Sequence, residues 1–421
     1  MSGGEKTDAE ALKEVKELSG LIAAQLADGE QLEHFTSKPG TSLGENYGST
    51  MLALDIVIRK QARNEISRRH LLAFCKMIPD DPQKRAIFNP TVTFVKELEM
   101  YTLVLPALLQ LQLDSGVPDQ DLISHLAPRC YGARVSLQGD GPVDDDAVIL
   151  LEDMRQRGFA PGDRKAGLGL EQVKLVLEKL AVFHALPIAL RRKRPRVYED
   201  TVLRACCDFH MGAEESPKED MDRFRRAILV NVEKSPEAAK HIDAVAKVVN
   251  EAKIMKGEKF PPIREPFATI FHNDLWTNNI LVQMDGDSPA NVAFIDFQVA
   301  RINSPFKDIL FFLFTSANMA VTTHHVDELF EAYMSSFRRC LSQVGVDTTP
   351  FSTEAAWAET VAVARTELFH ILFMLRFLNA DPAMIREDPE GFPYREDLGG
   401  ESYERWAAHV VLQFARHGWL D

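Results

Sequence analysis

Residues 269–297 read TIFHNDLWTNNILVQMDGDSPANVAFIDF: an apolar run, a polar loop, two strand-like runs around a turn, and a terminal Asp-Phe. If ILVQM and VAFI form an antiparallel hairpin, the start of the first lies beside the end of the second. Asn279 stands at that start and Asp296 at that end. Two hard oxygen donors then converge as a magnesium site requires, with nucleotide phosphates supplying further oxygens. Asp274, five residues before Asn279, falls in the loop over the same point, where its carboxylate can take the proton of an attacking hydroxyl. The spacing H-x-D-x-x-x-x-N, then a hairpin, then a strand closing in Asp-Phe belongs to phosphoryl transfer. Taken singly, Asp274 is a turn former, Asn279 a strand-end amide and Asp296 a helix cap; the joint spacing carries the expectation. His272 reads as a scaffold residue that holds the loop.

Other parts of such a site fall upstream in order. Lys76 is a lone cation inside the apolar run LLAFCKMIP, where burial demands a partner. Glu97, one turn from Phe94 and Tyr101 on the next helix, can pair with it and so hold the lysine on the α- and β-phosphates of ATP. Glu99 is a rival for that pairing. The segment GTSLGENYGST precedes a strand and can fold over phosphates, with Gly44, Asn46, Gly48 and Ser49 offering backbone N–H groups. LLEDM ends the last strand of the N-terminal half, where a hinge would present the backbone of Glu152 and Met154 to an adenine edge. The adjacent pairs His324–His325 and Cys206–Cys207 cannot readily converge on one metal. His184, in AVFHAL, faces an apolar helix side and reads as a satisfied core histidine.

These residues need positioning elements. Leu12, Val15, Leu18, Ile22 and Leu26 recur at three- and four-residue steps and predict an early helix. MLALDIVI and LLAFCKMIP predict strands. FNPTVTFVKELEMYTLVLPALLQL predicts one helix with Asn89 as N-cap and Pro90 at its first position. PRCYGARVSL and DAVILLEDM predict two further strands. Beyond about Gly158 the pattern becomes helical, save for the island 269–297. The expected fold class is α+β, a two-lobed protein-kinase-like architecture with a small β-rich N-lobe and a larger helical C-lobe. A tail and helix (1–40) should precede the N-lobe (41–155) and the C-lobe (156–421).

Composition narrows the partners. A formal charge of −14 over 421 residues repels nucleic acid and anionic membrane surfaces. RRKRPR, from Arg191 to Arg196, is the one strongly basic run, and it follows an apolar helical stretch; a solvated helix end with a loop after it accounts for it. Five cysteines without C-x-x-C spacing point to a reducing compartment and to no zinc site. The N-terminus, MSGGEKTDAE, has no secretory pattern, and ILFFLFTSANMAV is too short to span a bilayer. A cytoplasmic protein is expected.

HNDLWTNNIL followed by FIDFQVARINSPFKDILFFLF resembles the ecdysteroid kinase-like family, also called CHK kinase-like. GENYGST, AFCKMIP, FVKELEMY, ILLEDM with Gly158-Phe159, and FHAL match further blocks in order, so the resemblance covers roughly Gly40 to Phe314. It implies a fold shared with choline and aminoglycoside kinases, and ATP- and Mg2+-dependent phosphorylation of a small molecule's hydroxyl. By position it makes Asp274 the base, Asn279 and Asp296 the magnesium ligands, Lys76 a phosphate ligand, and Asp308 a brace for the catalytic loop. Asn273 stands where the family usually has glycine; asparagine tolerates the positive φ such a loop needs. The family name suggests an ecdysteroid or similar apolar alcohol, in keeping with the aromatic and aliphatic residues that dominate the segment after Asp296; for a cationic acceptor, Trp276, Phe306, Phe311 and Phe312 are the available aromatics. A catalytically silent nucleotide- or partner-binding module and a choline- or aminoglycoside-type kinase are the alternatives.

Overall fold

The computed structural model describes residues 14–40, 49–62, 65–139, 141–209, 218–251, 263–381, 383–384 and 394–420. The chain divides into two compact units, Met1–Arg85 with Arg129–Asp153, and Ala86–Pro128 with Met154–Asp421. The first is β-rich and the second largely helical, an α+β protein.

The first unit is one antiparallel sheet of β1 (Glu30–Pro39), β2 (Thr50–Ala62), β3 (Glu65–Met77), β4 (Cys130–Arg134) and β5 (Val148–Glu152), in the order β1-β2-β3-β5-β4. Strand alternation sorts its side chains. Leu52, Leu54, Ile56 and Ile58 of β2, Ala73, Cys75 and Met77 of β3, and Val148 and Leu150 of β5 share one face and one core. Lys76, between Cys75 and Met77, therefore projects from the opposite face, opposite Met51 and Ile149 in the ladder. Among the described residues the early apolar run makes no long helix: Val15, Leu18 and Ile22 are buried, but only the single turn Leu18–Leu21 and a tight turn at Ala23–Gln25 are helical, and Leu12 lies outside the described residues. The chain then runs on as the edge strand β1. Gly132 permits the approach of that turn to the sheet: a Cβ there would lie 2.0 Å from the Leu21 carbonyl oxygen.

In the second unit the expected single helix after Asn89 is interrupted. Helix α1 (Pro90–Glu99) gives way to one π turn, Met100–Val104, before α2 (Leu105–Asp114). Pro106 explains the break, because it has no N–H to give the preceding turn. Asn89 precedes α1 with φ 44°, but its side chain does not cap the helix; its Oδ1 accepts from the Thr91 hydroxyl at 2.6 Å. Phe94 and Tyr101 are buried as expected, and Leu98 is half-buried.

Helix α3 (Leu170–Lys193) starts at Gly169, whose N–H is held by the Gln172 side chain at 3.1 Å. It ends on Arg191, Arg192 and Lys193, cations favoured at a helix C-terminus. The basic run is thus a helix end, with a short helical turn, Pro195–Tyr198, where a loop was expected. Arg191 pairs with Glu265 at 2.7 Å and Arg194 with Asp114 at 2.6 Å. The unit also contains α4 (Lys218–Glu233), β6 (Phe159–Pro161), β7 (Thr269–Phe271), β8 (Ile280–Asp285), β9 (Ser288–Phe294) and β10 (Arg301–Asn303), of which β7 and β9 pack on α3. The longer helices after β10 are α5 (Phe306–Ser316), α6 (Val326–Gln343), α7 (Thr353–Leu378) and α8 (Gly400–Arg416). The small sheets run β6-β8-β9 and β10-β7. Among the described residues no helix is long and apolar enough to cross a membrane.

Candidate active site

The hairpin forms as the residue pattern requires. β8 and β9 are antiparallel with Ile280 opposite Phe294, and one step on the Ile295 N–H donates to the Asn279 carbonyl at 3.1 Å. Asp296 is the next residue, so the ladder brings Asn279 and Asp296 to the same end of the hairpin. Asn279, 6% exposed, donates its side-chain amide to the Asp274 carbonyl at 2.8 Å and to Asp274 Oδ2 at 2.9 Å. That bond fixes the Asp274 carboxylate and turns the amide oxygen of Asn279 away from it. Asp274 and Asp296 are half-buried. An amide oxygen and a carboxylate at one point form the hard donor set that suits Mg2+ with phosphate oxygens completing the shell.

Two non-glycine residues in this region adopt the left-handed backbone conformation, Asn273 at φ 66° and Asp296 at φ 67°. Asparagine and aspartate tolerate it best after glycine. Hydrogen bonds hold Asn273 there: its N–H donates to Asp308 Oδ1 at 2.9 Å, and its side chain to the Val299 carbonyl at 3.3 Å.

Asp308, in the first turn of α5, is fully buried. Its Oδ2 accepts the His272 N–H at 2.5 Å and lies 3.1 Å from His184 Nε2. One carboxylate thus takes three donors, and two of them are consecutive N–H groups of the loop that carries Asp274. Burial pushes the His184 imidazole below its usual range, with Asp308 acting against that shift. A neutral ring satisfies both contacts: Nε2–H donates to Asp308, and Nδ1 accepts from the Tyr333 hydroxyl at 2.9 Å. Thr269 donates its hydroxyl to the His184 carbonyl at 2.6 Å. His184 is therefore a core histidine as the sequence suggests, and also the support behind the loop brace. The sequence signal for that role was a lone imidazole on an apolar helix, which must find partners.

His272 is a scaffold residue. Burial lowers its pKa, opposed by Asp308 and by the hydrogen bond from Nε2 to the Ile295 carbonyl at 2.9 Å. That bond ties the loop to the strand end carrying Asp296. Its ring lies 5.2 Å from Phe297, which meets Tyr101 edge-on at 5.4 Å and stacks with Phe183 at 5.7 Å. The Phe of the Asp-Phe pair thus joins the loop, α3 and the helical segment that follows Glu97.

Glu97 is 1% exposed on α1. Its rival Glu99 is engaged elsewhere, accepting from Arg204 Nε at 2.5 Å. Lys76 is 4% exposed on β3; it lies in the first unit and Glu97 in the second. At the end of β5 the Glu152 N–H donates to the Arg129 carbonyl at 2.8 Å, and the Asp153 N–H to the Leu72 carbonyl at 3.2 Å. Met154 is buried at the start of a tight turn, Met154–Arg157. Gly44, Asn46 and Gly48 lie outside the described residues; Ser49 is a bend before β2. The aromatic residues assigned to the acceptor are largely core. Phe306 packs on Phe267 at 5.1 Å and Phe330 at 5.5 Å, Phe312 is fully buried and Trp276 is 9% exposed. A helix this apolar buries its rings before it can offer them.

The sequence profile of the Ecdysteroid kinase-like family matches residues 43–346. No curated protein matches the sequence. Among solved structures, an ethanolamine kinase of Plasmodium vivax is similar at 11% identity and TM-score 0.38, over 91% of this chain and 81% of its own. A microcompartment-associated aminopropanol kinase is similar at 13% and 0.38, over 94% and 95%. A choline/ethanolamine kinase family protein of Mesorhizobium loti is similar at 11% and 0.31, over 91% and 87%. Likenesses this loose transfer neither a substrate nor a residue role.

Proposed function

The chain belongs to the Ecdysteroid kinase-like family, and from that premise we propose that it transfers the γ-phosphoryl group of ATP to a hydroxyl of a small molecule. The observation that carries the proposal is the side-chain amide of Asn279 on the Asp274 carboxylate at 2.9 Å, at the end of the hairpin that also bears Asp296. Asp274 is the base: it accepts the acceptor's proton as the oxygen attacks phosphorus. Asn279 holds that carboxylate in place. Asn279 and Asp296 would hold Mg2+, which would neutralise charge on the phosphate oxygens.

Lys76 binds the α- and β-phosphates and Glu97 steadies it; Ser49 adds to the phosphate contact; Glu152 and Met154 meet the adenine. Asp308 and His184 touch neither substrate. Asp308 holds two N–H groups of the loop, with His184 bonded behind it, and so sets where Asp274 points. The acceptor is an apolar alcohol of steroid type. Supporting this are the family's name and the half-buried Phe369, Phe373 and Phe377 on α7, which replace the buried rings of α5 as candidates for contact. Incubation with ATP, Mg2+ and a panel of hydroxylated steroids, choline and an aminoglycoside, read by mass spectrometry, tests the proposal. A gain of one phosphoryl group on a steroid is expected; transfer only to the cationic acceptors would remove the apolar acceptor and keep the kinase.

A further inference from the structure

The turn that follows Asp296 carries a buried polar side chain to which the chemistry above gives no task. Gln298 is 8% exposed, and its amide nitrogen donates to Asp296 Oδ2 at 3.4 Å. Among the described residues this is the one hydrogen bond its side chain makes. A buried amide finds a partner as a rule, and the usual one is a backbone group. Here the partner is the carboxylate at the end of the hairpin. The contact is long for an N–H···O bond, so it steers the carboxylate rather than clamping it.

The backbone around Asp296 is fixed, which gives that contact its effect. The Ile295 N–H donates to the Asn279 carbonyl at 3.1 Å, and the Ile295 carbonyl accepts from His272 Nε2 at 2.9 Å. Beyond Asp296, the Ala300 N–H closes a tight turn on the Phe297 carbonyl at 3.0 Å, with Gln298 next to Phe297 inside it. The Val299 carbonyl of the same turn accepts the Asn273 side chain at 3.3 Å. With the chain held on both sides of Asp296, the rotation of the carboxylate is what remains to be set, and Gln298 acts on it. Its amide is a neutral donor, so it orients the carboxylate without cancelling the charge a cation needs. Lysine or arginine in its place would compete with the cation.

We propose that Gln298 is a positioning residue that engages Oδ2 of Asp296 and so turns the carboxylate to meet a divalent cation through one oxygen, favouring Mg2+ over Ca2+. This rests on the reading of Asn279 and Asp296 as the metal pair. Asn279 is restricted in the same way, its amide nitrogen engaged by Asp274 at 2.9 Å. Mg2+ demands a near-octahedral shell at short distances, which donors of one oxygen each can fit. Ca2+ accepts a larger and less regular shell, and gains from a carboxylate that meets it with both oxygens. A side chain that only filled the turn would not distinguish the two cations.

The test is titration calorimetry of ATP binding in Mg2+, in Ca2+ and in chelator, for the wild type and for Gln298→Met, which keeps the length and removes the donor. The wild type should bind ATP more tightly with Mg2+ than with Ca2+. In Gln298→Met the ratio of the two affinities should fall roughly tenfold, the lower end of what loss of a metal ligand's hydrogen-bond partner costs a site. Affinity in chelator should stay as in the wild type. Gln298→Glu, which puts an acceptor in place of the donor, should lower the ratio too and serves if the methionine variant does not fold. An unchanged ratio in a folded variant overturns the role of Gln298 and leaves the metal pair standing. Wild-type ATP affinity that neither cation alters overturns the metal pair, and the role of Gln298 with it. Turnover is not read, so an activity lost for another reason cannot mimic the result.

Discussion

The side-chain amide of Asn279 donates to Oδ2 of Asp274 at 2.9 Å and to the carbonyl of the same residue at 2.8 Å. Asn279 thus has two tasks on its two amide atoms. The nitrogen holds the Asp274 carboxylate, and in the proposed function the oxygen serves a cation beside Asp296.

That division gives the first prediction. ATP should bind more tightly with Mg2+ than with a chelator present, and Asn279→Ala or Asp296→Ala should shrink the difference. Titration calorimetry in both conditions measures it. Equal affinities in wild type with and without the metal would remove both residues from the metal site.

Asp308 accepts three donors in a site closed to water. Asp308→Ala leaves them without an acceptor, at about 1–3 kcal/mol for each orphaned buried group. The variant should lose roughly 3–5 kcal/mol of stability, read from urea denaturation. A loss under about 1 kcal/mol would mean that the loop is held by other contacts.

The pH dependence follows from the buried imidazoles. The pKa values of His184 and His272 are lowered in the folded state, in both cases chiefly by burial. Above the usual imidazole value of about 6.5 both rings are neutral folded or unfolded, and their contribution to stability is complete. Below it only the unfolded chain takes up the protons. Stability should then fall with decreasing pH by about 1.4 kcal/mol per unit for each ring. Glu367, held at about 2, adds a second loss as pH falls below its unfolded value of about 4.3. Denaturation midpoints between pH 8 and 4 check the sign; a flat profile from 6.5 to 5 would contradict neutral buried rings.

The chemistry-bearing island was legible because its pattern is local: a short hairpin is fixed by a turn and alternating apolar residues, all within residues 269–297. Asn273 also read correctly, since positive φ is a property of one residue. What failed to read depended on distant packing. β1 carries exposed or half-exposed side chains on an edge and has no strong period-two pattern, so Val15, Leu18 and Ile22 suggested a helix in its neighbourhood. The π turn at Met100 answers to Pro106, a feature that helical periodicity passes over. The brace from His184 and Tyr333 to Asp308 spans 124 and 149 residues in its two hydrogen bonds, and no spacing rule reaches that far.

Glu99 is held by Arg204, and the proposed function takes Glu97 as the partner of Lys76. Glu97→Ala should raise KM for ATP severalfold and lower kcat, while Glu99→Ala should change stability more than ATP use. Steady-state kinetics of the two variants separates them, and the reverse order would reassign the pair.

The central claim is that Asp274 accepts the proton of an acceptor hydroxyl during transfer from ATP. Asp274→Asn keeps the shape of the side chain and removes the proton acceptor. The direct measurement is transfer of labelled γ-phosphoryl from ATP to 20-hydroxyecdysone by the wild type and by this variant, alongside their ATP affinities. The wild type should transfer the label, and the variant should be slower by roughly 10²–10⁴-fold with nucleotide affinity nearly unchanged. Turnover within a few-fold of the wild type, at equal nucleotide affinity, would contradict it.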